Sequence, residues 1–128
     1  VPARSRRTAA GDRRALGALG EKAAAEWYEA HGYSVIDRNW RVREGELDLV
    51  LLAPDGSIVF CEVKTRSSDR FGSPLEAVTP VKQRRLRTLA ALWLAAHEGI
   101  GGAVRFDVAG VVLSASGEPE VEVVQAGF

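Results

Sequence analysis

The sequence predicts an α/β domain, and three observations carry that prediction. Apolar residues recur at three- and four-residue spacing in two segments, about 15–31 and 79–99, which is the mark of amphipathic helices. Between and after them, 33–41, 45–52, 57–65, 103–109, 111–113 and 121–125 are rich in β-branched and aromatic residues, as strands are. Gly, Pro and Asp fall at the junctions, where turns need them. At 128 residues the chain is expected to form one domain, over 15–128, after a mobile basic arm over 1–14.

The arm shows no apolar periodicity and carries five Arg against one Asp. In the first helix Leu16, Leu19, Ala23, Trp27 and Ala30 define the apolar face, and Gly32 is placed to end it. Glu21 lies off the centre of that face, in line with Gly17, Ala24 and Tyr28, a strip small enough for close approach of a backbone or ligand. Strands Gly45–Leu52 and Ser57–Thr65 flank Pro54-Asp55-Gly56. Pro, Asp and Gly suit the two α positions and the left-handed third position of a three-residue hairpin. Residues 66–78 read as loop, with a short turn near 75–78. Thr79-Pro80 reads as the N-cap and first residue of the second helix, whose face is Leu86, Leu89, Ala90, Trp93 and Leu94.

Composition narrows the function classes. With 46% hydrophobic and 27% charged residues, the chain is ordinary globular protein. Its apolar runs are too short to cross a bilayer, and no secretory signal follows the basic start. One cysteine, Cys61, cannot form an internal disulfide, which fits a cytoplasmic protein, and two His with one Cys offer no zinc site. Net charge is zero, but its distribution is uneven. Residues 15–78 hold seven bases against eleven acids, and 79–97 hold Lys82, Arg84, Arg85 and Arg87 with no acid. Basic blocks thus flank an acidic middle of the kind a cation site needs.

The hairpin concentrates that acidity. If Ala53 pairs with Ser57, Asp48 faces Glu62 and Glu46 faces Lys64, all four on one surface with opposed Cβ atoms roughly 4.5–5.5 Å apart. Leu47, Leu49, Leu51, Val59, Cys61 and Val63 then form the other, core-facing surface. A register slip of one residue would separate the carboxylates. Like charges directly opposed destabilise a sheet, and a divalent cation removes the conflict; an all-oxygen site suits Mg²⁺. Lys64 beside it can hold an attacking water or stabilise charge on a phosphate. The plainer alternative is a solvent-facing hairpin with Glu46–Lys64 and Asp48–Arg ion pairs.

The runs Leu19-Gly20-Glu21, Arg38-Asn39-Trp40-Arg41, Gly45-Glu46-Leu47-Asp48-Leu49, Phe60-Cys61-Glu62-Val63-Lys64-Thr65-Arg66, Lys82-Gln83-Arg84-Arg85-Leu86 and Arg105-Phe106-Asp107 resemble the YraN family of small bacterial endonuclease candidates. That family is similar to archaeal Holliday-junction resolvases and to the PD-(D/E)XK nucleases. The resemblance spans roughly residues 16–113. It implies a mixed central β-sheet flanked by helices, a restriction-endonuclease-like core, and metal-dependent cleavage of DNA. It also implies a site of Glu21, Asp48, Glu62 and Lys64. Asp48 and Glu62 would hold Mg²⁺ (Mn²⁺ substituting), with the Val63 carbonyl as third ligand and Glu46 in an outer role. Glu21 would bind a second metal or an associated water. Leu47 stands where the superfamily often has Pro, while Glu62-x-Lys64 is intact.

Lys82 and Gln83 in the first turn of the second helix, with Arg84 and Arg85 after them, are candidate phosphate contacts; the alternative is a basic solvent face. Arg66 and Arg70 are candidates to grip the strand around the scissile phosphate, against a plain charged loop. Cys61 reads as a core thiol, His31 as a helix-end partner, the three Trp as core, and Asp107 as a strand charge without a role. A junction-cutting enzyme implies a homodimer, with DNA as partner and no membrane or organic cofactor. The rival class is a non-catalytic DNA-binding or scaffold module of the same fold, which would be expected to have lost Lys64 or Asp48.

Overall fold

A computed structural model of the chain describes residues 9–67, 74–113, 117–126 and 128. Five strands form one sheet in the order β1 (Ser34–Val42), β2 (Gly45–Leu52), β3 (Ile58–Arg66), β4 (Val104–Val112) and β5 (Glu120–Gln125). β3 and β4 run parallel and every other neighbouring pair is antiparallel, so the sheet is mixed. Helix α1 (Ala9–Ala30) covers one face, and α2 (Pro80–Ala96), which with a 3₁₀ turn (Pro74–Ala77) makes the β3-to-β4 crossover, covers the other. This is the α/β architecture, a mixed central sheet flanked by helices, that the sequence predicts.

The first helix begins earlier than its periodicity suggests. Residues 9–14, read as the end of the arm, are its opening turns; residues 1–8 lie outside the described residues. Its buried face is also rotated from the expected one. Gly20, Ala24, Ala25 and Tyr28 meet the sheet, while Leu19 is 56% exposed and Trp27 is half-buried. Alanine decides this, because small side chains let the helix lie close to the strands. Leu19, Ala23 and Trp27 instead line a groove of about 590 Å³ with Leu113, Pro119 and Val121. His31 ends the helix as expected, its Nδ1 donating to the Trp27 carbonyl at 2.7 Å.

The hairpin has the expected register. Ala53 N–H donates to Ser57 at 2.8 Å, Gly56 takes φ of +89°, and Leu49–Cys61, Val50–Phe60, Leu51–Val59 and Leu52–Ile58 are paired. Beyond Leu49 the regularity fails. Leu47 packs with Val50 and Phe60 in the α2-side core, whereas Leu49 and Leu51 pack in the α1-side core. The expectation that all three share a face is therefore wrong for Leu47. In β1 the facing residue is Asn39, with φ of +51°, between the pairs Arg38–Leu49 and Trp40–Leu47. β2 turns over at Asp48, opposite that kink.

The second helix matches its prediction. Thr79 accepts from Lys82 N–H at 3.3 Å, and Leu86, Leu89, Ala90 and Trp93 are buried. Trp40 is half-buried beside this core rather than within it. β4 runs unbroken through Gly110, where a Cβ would stand 2.4 Å from Pro74. Asp107 is no idle strand charge. It is fully buried, accepts from Tyr28 Oη at 2.6 Å, and takes both Nε and Nη2 of Arg105 at 2.9 Å. Arg105 Nη2 also donates to Tyr33 Oη at 2.8 Å. Cys61 is buried, as expected, and burial pushes its thiol above the ordinary range.

Candidate metal centre

Three elements deliver the acidic residues. Gly20 brings α1 onto β3 so closely that a Cβ there would sit 1.8 Å from Thr65 Oγ1. That contact presents Glu21, the next residue, to the strands. β2 presents Glu46 and, at the reversal itself, Asp48, and one oxygen from each of Glu21, Glu46 and Asp48 lies within 4.8 Å of the others. β3 brings Glu62 and, two residues on, the exposed Lys64.

Glu62 stands beside the trio, not in it. The sequence reading puts Asp48 directly across from Glu62, but β2 and β3 have parted at that point. The space is closed by the Asp48 carboxylate, which accepts from Val63 N–H at 2.8 Å where a ladder bond would run. Glu46 likewise turns to β1 instead of Lys64. It pairs with Arg41, whose Nε donates to Glu46 Oε2 at 2.6 Å. Asn39, which the sequence reading assigned no role, donates from its side-chain nitrogen to Glu46 Oε1 at 2.9 Å and to Glu21 Oε2 at 2.6 Å. With both carboxylates ionised the two neighbours are acceptors, and the amide is assigned with its nitrogen toward them. An Asn in the middle of a strand run was its one sequence signal, since Asn tolerates left-handed backbone.

The crowding shows in the proton affinities. Burial, then the negative charges of Asp48 and Glu46, push Glu21 up to about 7. Burial and Glu62 push Asp48 up to about 7 against the lowering effect of the Val63 bond. Glu62 is raised by burial, less so because Lys82 and Lys64 oppose it. Such mutual repulsion is what a bound cation relieves.

Three comparisons set this geometry among known proteins. Residues 20–111 match the model of Uncharacterised protein family UPF0102. The chain belongs to that family. Among curated UPF0102 proteins, it is 54% identical over 109 residues to one from Beutenbergia cavernae, covering 84% of this chain and 91% of that one. It is 52% identical over 115 residues to one from Frankia casuarinae, covering 89% and 96%. The match agrees with the YraN resemblance read from the sequence. Among solved structures, Pyrococcus furiosus SfsA in complex with Ca²⁺ aligns over 90% of this chain and 64% of that one, at 18% identity. Its TM-score of 0.34 is too low to carry any argument.

Within the matched UPF0102 span, α2 supplies the positive rim. Lys82 and Arg85 line a cavity of about 120 Å³ with Gly45, Glu46 and Glu62. Arg84 is exposed on the same helix, while Gln83 is engaged locally, donating to the Val78 carbonyl at 3.3 Å. Arg66 closes β3, and Arg70 lies outside the described residues. The donor set of the trio is all carboxylate oxygen, which fits a hard divalent ion and not a soft one. Among the described residues no helix is long and apolar enough to cross a membrane.

Proposed function

We propose that this chain is a metal-dependent nuclease that hydrolyses DNA phosphodiester bonds, acting on branched or otherwise structured DNA. The observation that carries the reading is the convergence of Glu21, Glu46 and Asp48 from a helix and a strand, beside Glu62 and Lys64. Folding gives no reason to hold carboxylates at mutual cost, whereas a cation gives one. Asp48 and Glu62 would hold Mg²⁺, or Mn²⁺ in its place, with the Val63 carbonyl as a further ligand and Glu21 and Glu46 completing the acidic wall. When bound, such an ion polarises a phosphoryl oxygen and acidifies a water.

The remaining roles belong to the chain's own side chains. Lys64 is exposed on the strand that carries Glu62, where its ammonium can orient the attacking water and stabilise charge growing on the phosphate. Lys82, Arg84 and Arg85, with Arg66 at the end of β3 and Arg70 beyond it in sequence, would hold the backbone on either side, since phosphate contacts set register without reading sequence. Paired incision of a junction would take two copies of the chain, acting in the cytoplasm.

A cleavage panel tests this. Single-stranded, duplex, flap and four-way-junction DNA are incubated with the protein in Mg²⁺ or Mn²⁺, with Lys64→Ala as control. Cutting of at least one form, lost in EDTA and reduced about 10²-fold or more in Lys64→Ala, is expected. Metal binding and DNA binding without cutting of any form would instead favour the non-catalytic module.

A further inference from the structure

We propose that Asn39 is a positioning residue that holds Glu21 and Glu46 together for a divalent cation, an inference that rests on the metal reading above. Two independent features of Asn39 lead to it. Its side-chain nitrogen bridges the two carboxylates, at 2.6 Å to Glu21 Oε2 and 2.9 Å to Glu46 Oε1. Its backbone takes φ of +51°, the only non-glycine residue with positive φ among the described residues, at the break in the ladder opposite Asp48. Asn and Asp enter this region more readily than other non-glycine residues.

The bridge spans two elements that sequence separates. Glu21 is on α1 and Glu46 on β2, and the kinked strand β1 ties them. The chemistry of the donor matters. An ammonium or guanidinium at position 39 would neutralise the carboxylates and compete with the ion. A neutral amide orients them and leaves their charge in place. Each carboxylate offers about four lone-pair sites, so the amide's bonds and a cation are compatible. Val63 N–H on Asp48 Oδ2 is a second neutral donor of this kind, while Arg41 Nε on Glu46 Oε2 is a charged one that offsets part of the negative charge. Groups that orient metal ligands in this way typically contribute 10–100-fold to metal affinity.

The test is Mn²⁺ titration of the full chain by calorimetry, with melting curves in EDTA, for wild type, Asn39→Gly and Asn39→Asp. Glycine accepts the backbone conformation and removes only the amide, so the fold is kept. Asn39→Gly is expected to raise the Mn²⁺ Kd about 10-fold or more with little change in metal-free Tm. Asn39→Asp also tolerates the backbone but replaces a donor with acceptors. It should melt lower than wild type without metal and gain more from Mn²⁺ than wild type does. An Asn39→Gly Kd within about twofold of wild type, well short of the effect expected of such groups, overturns the inference alone. Wild-type protein that takes up no Mn²⁺ overturns the metal reading and this inference with it.

Discussion

Asp48→Asn should make the metal-free protein more stable, and the size of the gain follows from the site. The Asp48 carboxyl is pushed up to about 7 from an ordinary 3.8, and Glu21 up to about 7 from 4.5. Both hold their protons more tightly in the fold than in the unfolded chain. The stability they contribute is therefore fully present below about pH 4 and is lost as the pH rises through about 7. For Asp48 the roughly three-unit difference sets a ceiling of about 4 kcal/mol. The site opens to solvent and Glu62 shares the repulsion, so about 1–2 kcal/mol is the expected gain, or about 3–8 °C in Tm for a domain of this size. Asparagine keeps an acceptor for Val63 N–H, so that bond survives. The assay is thermal melting in EDTA at pH 5 and pH 8. The variant should exceed wild type at pH 8 and lose most of that advantage at pH 5. Adding Mg²⁺ at pH 8 should reverse the order, because an ion present at 100 times its Kd stabilises wild type by about 2.7 kcal/mol and leaves the variant unmoved. An Asp48→Asn protein that melts below wild type in EDTA at pH 8 refutes the claim that these carboxylates repel one another.

The other predictions probe how the fold supports the site. Gly20→Ala places a Cβ 1.8 Å from Thr65 Oγ1, so α1 must lift; a loss of about 1–3 kcal/mol in denaturant melts, with weaker Mn²⁺ binding through displaced Glu21, is expected. Arg105→Ala leaves the buried Asp107 with Tyr28 alone and should cost about 3–5 kcal/mol by the same measurement. Lys82→Ala combined with Arg85→Ala should weaken binding to all DNA forms alike and reduce the salt dependence of the affinity by roughly two units of slope, read from fluorescence anisotropy across a salt series.

Much of the fold was legible because it rests on local rules. The hairpin register follows from Pro54-Asp55-Gly56, and the buried face of α2 from apolar residues that recur at helical spacing. α1 was harder, because its sheet-facing surface is Gly20, Ala24, Ala25 and Tyr28 while the larger Leu19 points away. Hydrophobic periodicity weights a residue by size, but close packing against a sheet selects small side chains. Asp107 was illegible for a related reason. Nothing local to Arg105-Phe106-Asp107 announces that Tyr28 and Tyr33, far away in sequence, will enclose it.

At the site, the acids were legible and their arrangement was not. Strict alternation along β2 puts Glu46, Asp48, Glu62 and Lys64 on one surface, and that expectation assumes a regular ladder. That ladder fails opposite Asn39. Beside this residue of left-handed backbone in β1, β2 turns over at Asp48, Leu47 enters the opposite core, and Asp48 takes Val63 N–H across the parted strands. At the reversal Glu21 from α1 joins Glu46 and Asp48 of β2, and Glu62 of β3 stands beside them. Local rules are most often broken where a protein does its chemistry, and the irregularity here falls on the residues that gather charge. If the break served only to shape the sheet, restoring regularity with Asn39→Val would leave Mn²⁺ affinity unchanged; if it builds the site, that substitution removes binding while β1, β2 and β3 remain paired.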